Sequence, residues 1–151
     1  MSTKTVSDRE DPVIETRDQL IAAIAKGEKP KDRWRIGTEH EKFVYNHTDH
    51  HAPSYDEPGG IRDLLMAMTE FGWEPVYENG KVIAMTGTDG AVSLEPAGQL
   101  ELSGAPLENL HQTCAETGRH LKQVKAIGDK TNTSFLGLGL WPDKTRAELP
   151  I

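Results

Sequence analysis

The sequence predicts an α+β fold: a largely antiparallel, curved sheet with flanking helices. Three observations carry this. Residues 73–78 and 81–86 are strand-like segments joined by Asn79-Gly80, and Asn-Gly suits the type I′ turn of a hairpin. Apolar residues recur at three- and four-residue steps over 61–72 and 107–128, the spacing of helices that bury one face. Strands in hairpin order with helices between them place the chain in the mixed antiparallel class. At 151 residues it is long enough for one domain with a real core.

In chain order, residues 1–12 are polar and expected to be a flexible N-terminus, with one domain over 13–151. Thr16-Arg-Asp-Gln19 is a capping-box pattern, followed by the stripe Leu20, Ile21, Ile24 and a stop at Gly27. A first strand is expected over 34–45. Asn46-His-Thr-Asp-His-His51 reads as a loop, and its histidines lack a helix to fix metal geometry. Pro58-Gly-Gly60 leads into the second helix, ending at Gly72, and the hairpin follows. Residues 88–90 turn the chain into a further strand. Pro106 sits at an expected helix start, with Leu107, Leu110, Cys114, Leu121, Val124 and Ile127 as its buried stripe up to Gly128. Residues 134–141 read as a last strand, in which Gly137 and Gly139 leave one side bare. Thr145-Arg-Ala-Glu-Leu-Pro-Ile151 starts a new segment, so the chain is expected to be the front portion of something longer.

The chemistry concentrates in Val92-Ser-Leu-Glu-Pro-Ala-Gly-Gln-Leu-Glu-Leu-Ser-Gly-Ala-Pro106, read as a bent strand. Alternation puts Ser93, Glu95, Gln99, Glu101 and Ser103 on one face and leucines on the other. Arg35-Ile-Gly-Thr-Glu-His-Glu-Lys-Phe43 places Glu39 and Glu41 on one strand face in the same way. If the two segments are neighbours, three or four carboxylates converge, which is tolerable only with cations, shared protons or solvent between them. Hard divalent cations prefer such oxygen ligands. The other reading is the wet side of an antiparallel sheet. Pattern alone leaves both open.

Composition narrows the partners. The formal charge is −7, from 17 basic and 24 acidic residues, and no Lys/Arg cluster forms a nucleic-acid stripe. No apolar run approaches the roughly 20 residues that span a bilayer. The single cysteine, Cys114, allows no internal disulfide and supports no zinc cage. Residues 1–11 show neither a secretory nor a transit pattern, and the expected compartment is reducing cytoplasm.

Taken together, the motif at 35–43, the motif at 93–108 and Leu110-His-Gln-Thr-Cys114 resemble glutamate–cysteine ligases of the plant and alphaproteobacterial type. The resemblance also covers Phe135-Leu-Gly-Leu-Gly139. It departs at Ala97, where a second glycine is usual, and at Leu100, where phenylalanine is common. It implies the N-terminal portion of a ligase domain similar to glutamine synthetase, in a protein that allows a homodimer at full length. The implied reaction is ATP- and magnesium-dependent joining of glutamate, through its γ-carboxylate, to cysteine, the first step of glutathione synthesis. On that resemblance Glu39, Glu41, Glu95 and Glu101 are the expected magnesium ligands. Glu39, Glu41 and Glu95 are the expected catalytic residues, with Gln99 and Glu101 as substrate contacts. Two alternatives remain: a related ligase joining glutamate to another amine, and a non-catalytic acidic domain that binds divalent cations.

Overall fold

Thr16 opens the first helix, α1 (Arg17–Ala25), with the expected reciprocal cap. Gln19 N donates to Thr16 Oγ1 at 3.2 Å, and Thr16 N donates to Gln19 Oε1 at 3.0 Å. These bonds satisfy helix-end donors that would otherwise lack a partner. The computed structural model describes residues 13–88, 90–142 and 144–149; the expected flexible segment 1–12 lies outside the described residues. The chain divides after Trp34 into two units, each taken by itself. In the first, α1 is followed by a 3-10 turn at Lys31–Arg33, and Trp34 Nε1 donates to Lys29 O at 2.8 Å. The stripe Leu20, Ile21 and Ile24 is exposed.

The second unit is a helix-on-sheet layer structure. Its strands are β1 (Glu39–Asn46), β2 (Glu74–Glu78), β3 (Lys81–Gly87), β4 (Gly90–Glu95), β5 (Gln99–Gly104) and β6 (Thr133–Leu136). They form one sheet in the order β2-β3-β4-β5-β1-β6, with every pairing antiparallel. Asn79 and Gly80 both take positive φ, 50° and 78°, as the type I′ hairpin between β2 and β3 requires. The helices are α2 (Ile61–Ala67) and α3 (Leu110–Thr131). A 3-10 turn at Met68–Phe71 continues α2 and stops at Gly72 in the left-handed region.

One hydrophobic cluster joins both helices to one side of the sheet. Leu64, Leu65, Val124 and Ile127 pack with Val44, Val92, Leu100 and Leu102. At about 25 cal/mol per Å² of apolar area removed from water, this cluster is the main favourable term holding helices to sheet. The strand alternation then turns the acidic residues of β1, β4 and β5 to the opposite face.

Three expectations are corrected here. The bent strand over 92–103 is a tight hairpin: β4 ends at Glu95, Pro96–Gly98 turns the chain, and β5 starts at Gln99. Pro96 has no N–H to continue a ladder, and Ala97 and Gly98 both take φ 68°, which reverses the chain. Second, Pro106 does not start the long helix. Asn109 caps it, its side chain accepting from His111 N and Gln112 N, both at 3.1 Å. Pro106 sits in the connector, where Leu107 bridges to Ile36. Third, the last strand stops at Leu136, residues 137–142 lie outside any helix or strand, and Arg146–Glu148 forms a 3-10 turn.

The left-handed alanine is a local strain at the hairpin tip. An L-residue there is disfavoured by roughly 1–2 kcal/mol, while glycine costs extra unfolded-state entropy of about 0.5–1 kcal/mol. Ala97→Gly is therefore expected to raise stability by about 0.5 kcal/mol, read as a higher midpoint in chemical denaturation. A lower midpoint would show that the Ala97 methyl makes packing contacts worth more than the strain.

Candidate functional site

The register brings the sequence-predicted acids together. β5 lies between β1 and β4. Glu41 stands directly opposite Glu101, and Glu39 opposite Ser103. Across the other neighbour, Glu101 stands opposite Ser93 and Gln99 opposite Glu95. Directly opposed residues of an antiparallel pair share a face, with Cβ atoms about 4.5–5.5 Å apart. Glu39, Glu41, Glu95, Gln99 and Glu101 thus share one face of three adjacent strands.

Their environments differ. Glu39 and Glu41 are exposed, Glu95 and Gln99 half-buried, and Glu101 is buried with 3 % of its surface accessible. Ser103 Oγ donates to Glu101 Oε1 at 2.9 Å, and Gln99 Nε2 donates to Pro96 O at 3.3 Å. Burial pushes the Glu101 carboxyl above the usual carboxylate range; the Ser103 bond pulls it back, and hydrogen-bond contact with Glu95 raises it again. A cation between the two carboxyls would offset the repulsion of like charges at that separation.

Among the described residues, no group of three His, Cys, Asp or Glu side chains is gathered closely enough to hold a metal ion by itself. The donor set still fits magnesium in kind. Magnesium takes one or two carboxylates and completes its shell with water and substrate phosphate. The opposed pair Glu41–Glu101 and the contacting pair Glu95–Glu101 provide carboxylates two at a time, all of them hard oxygen donors.

Behind this face lies a polar cluster that the sequence reading missed. Lys42, Glu116 and His120 are each 2 % exposed. Lys42 Nζ donates to His40 O at 2.6 Å and meets His40 Nδ1 at 3.2 Å. Burial lowers the Lys42 ammonium to about 8, against a raising influence from Glu101 and then Glu41. His120 is lowered to about 3, by burial first, then by Lys42 and His40. Glu116 Oε1 accepts from Ala105 N at 2.8 Å. A Cβ at Gly104 would come within 2.3 Å of Glu116 Oε2, so glycine is needed for α3 to clamp the end of β5. The clamp begins one residue after Ser103 and so steadies the register of Glu101.

The predicted α3 stripe is wrong in its first half for this reason. Leu110 and Leu121 are exposed at 68 % and 45 %, and Cys114 is exposed, while Glu116, His120, Val124 and Ile127 are buried. The 4-4-3 spacing of these four was visible, but a search for apolar residues passes over a stripe with two polar members. His111 and Arg119 are exposed on the same helix. In the loop after β1, His47 Nδ1 bonds Ser134 Oγ at 2.9 Å. His51 lies between Asp49 and Glu57 at 2.6 and 2.7 Å, and its hydrogen bonds to Glu57 and then Asp49 raise its pKa. These side chains are engaged separately.

Comparison with known proteins identifies a family. The family model for glutamate–cysteine ligase family 2 matches residues 35–151. The chain is 49 % identical over 137 residues to the chloroplastic glutamate–cysteine ligase of Arabidopsis thaliana, covering 90 % of this chain and 26 % of that protein. It is 48 % identical over 136 residues to the chloroplastic enzyme of Brassica juncea, covering 89 % and 26 %. Against glutamate–cysteine ligase A of Oryza sativa subsp. japonica, also chloroplastic, it is 47 % identical over 137 residues, covering 90 % and 27 %. The chain thus spans about a quarter of the length of these relatives. Their chloroplastic designation overturns the expectation of a cytoplasmic protein. That expectation rested on the single thiol, which carries no compartment address, and on residues 1–11 showing no secretory or transit pattern. With a family match over more than three-quarters of its residues, the chain belongs to glutamate–cysteine ligase family 2.

Proposed function

We propose that this chain supplies the acidic, metal-binding part of a ligase that uses ATP to join the γ-carboxylate of glutamate to the amino group of cysteine. The observation that carries the reading is the register placing Glu41 opposite Glu101, with Glu39, Glu95 and Gln99 on the same face. In this reading a γ-carboxylate oxygen of glutamate attacks the terminal phosphorus of ATP, and ADP leaves. The cysteine amine then attacks the resulting acyl carbon, loses a proton, and phosphate departs as γ-glutamylcysteine forms. Neither step needs a nucleophile on the protein. Such chemistry depends on positioning and on neutralising charge as it is transferred.

Magnesium, when bound, would neutralise phosphate charge and orient the terminal phosphate. Glu39, Glu41, Glu95 and Glu101 are the residues that would hold it. Gln99, with two donors and an acceptor on one planar group, is suited to a substrate carboxylate or amine beside them. The surrounding domain is read as glutamine synthetase-like, the antiparallel sheet serving as its floor. The plastid designation of the relatives supports a plastid as the compartment of the proposed activity.

The test is the full-length protein offered ATP, magnesium and glutamate with a panel of amines. Cysteine-dependent release of ADP, with γ-glutamylcysteine as product, supports the proposal. Turnover with a different amine at higher kcat/KM would move the assignment to a related ligase. Magnesium binding with no ATP consumption for any amine would leave only an acidic cation-binding domain.

A further inference from the structure

Nothing local fixes the strand pairing on which the acidic face depends. In the chain, β1 and β5 are separated by α2 and three strands, and the turn at Pro96–Gly98 fixes β5 against β4 only. β1 pairs with β5 from Glu39 to Lys42, and from Phe43 onward it pairs with β6. A slip of one residue would turn Leu100 and Leu102 out of the core. A slip of two keeps every side chain on its own face, so burial does not oppose it. It would set Glu101 opposite Glu39 or Phe43 in place of Glu41.

We infer that Glu116 is a positioning residue for the ligase reaction: acting through α3, it selects the register that sets Glu101 opposite Glu41. This rests on the ligase reading and adds to it a residue on the far side of the sheet from the acids. α3 engages both strands. Toward β1, His120 meets His40 edge to face with ring centroids 6.4 Å apart, and Val124 shares a hydrophobic cluster with Val44. Toward β5, about one turn earlier on the helix, Glu116 Oε1 accepts from Ala105 N at 2.8 Å. Gly104 borders both the Glu116 carboxylate and the β1 backbone, and its N–H donates to Thr38 O at 2.7 Å. A Cβ at that place would stand 2.3 Å from Glu116 Oε2 and 3.1 Å from Thr38 O. With α3 held on β1, a two-residue slip of β5 would bring Leu102 or Pro106 there. Each carries a Cβ, and Pro106 lacks the N–H that Thr38 O accepts. Only the observed register sets a glycine in the gap. Leu107 N and Ile36 N then exchange backbone bonds of 2.8 and 2.7 Å just beyond it. Glu116 Oε2 has no hydrogen-bond partner among the described residues, so the clamp depends on the reach of one acceptor rather than on charge.

Two substitutions in the full-length ligase separate reach from charge. Glu116→Asp keeps the charge and withdraws the acceptor from Ala105 N by one methylene. It is expected to lower kcat roughly tenfold or more and to raise the magnesium concentration for half-maximal rate by a similar factor. Glu116→Gln keeps the reach and removes the charge, and both quantities should stay within about threefold of wild type. Gly104→Ala displaces the carboxylate from the other side and should reproduce the Asp variant, which carries the test if Glu116→Asp does not fold. An Asp variant with a lower denaturation midpoint but the kcat and magnesium requirement of wild type would make Glu116 purely structural and overturn the inference. Equal losses in the Gln and Asp variants would overturn it as well, because charge would then be what matters. A wild-type protein that never consumes ATP refutes the ligase reading itself, whereas normal wild-type turnover with an unimpaired Asp variant refutes only the role of Glu116.

Discussion

Full-length protein carrying Glu41→Gln, or Glu101→Gln, is expected to lose at least about 100-fold in kcat while keeping its fold. The substitution changes few atoms. A carboxamide has the shape of the carboxylate, but it carries no charge and presents one oxygen where there were two. Glu41 is exposed, so its replacement leaves no cavity and no stranded buried group. Glu101 is buried, accepts from Ser103 and contacts Glu95. Glutamine there mimics the protonated acid and even relieves repulsion with Glu95, so thermal stability is expected to hold or rise. Stability and turnover should therefore move in opposite directions, a combination that general damage does not produce. Raising the magnesium concentration should restore part of the rate, because weaker ligation is what was lost. Near-normal kcat in both variants would remove the acids from the chemistry. A loss of folding at Glu101→Gln would make it a structural residue, and the assignment would then rest on Glu41 alone.

The acidic face was legible in the sequence because strand alternation has a period of two, which survives a wrong guess about the turn. Glu95 and Gln99 were assigned to one bent strand, yet they face each other across a hairpin. Four residues of separation preserve parity either way, so the face was right and the topology wrong. The neighbour relation of β1 to β5 was different in kind. It joins segments about 60 residues apart, and only the resemblance supported it before the register showed Glu41 opposite Glu101. Helix ends followed local chemistry where side chains cap directly, as at Thr16, but Pro106 was mistaken for a start because proline is permitted at a first turn without requiring one. The stripe of α3 failed at Glu116 and His120. A polar residue is buried when a specific contact, here Ala105 N on Glu116, outweighs its desolvation, and no periodicity reports such a contact.

Those buried groups make the protein sensitive to mild acid. His120 has no hydrogen-bond partner on either ring nitrogen among the described residues, and its pKa is lowered from 6.5 to about 3. The unfolded chain therefore binds a proton below pH 6.5 that the folded chain does not. Stability is full above that value and falls as pH drops through the window toward about 3. The slope approaches about 1.4 kcal/mol per pH unit, or roughly 2 kcal/mol between pH 6.5 and about pH 5. His40, also lowered by burial and then by Lys42, contributes with the same sign. His51 opposes it, since its raised pKa adds stability at low pH that is lost as pH rises through that value; its exposure to solvent makes the contribution small. Asp49, Glu57 and Glu148 are held below the usual carboxylate range, so their own loss of stability falls at lower pH, outside the upper part of the window. His120→Leu separates these contributions. It removes a buried ring whose polar atoms bond to nothing described and leaves an apolar side chain of similar volume, which is expected to raise stability at pH 7.5 by about 1–3 kcal/mol. It should also flatten the dependence between about pH 6.5 and 5, leaving the carboxylate-driven fall below it. Urea denaturation of wild type and variant at several pH values measures both effects. Parallel curves across that window would mean that His120 gains a proton in the folded state as readily as in the unfolded one, and that Lys42 and His40 do not exclude its charge.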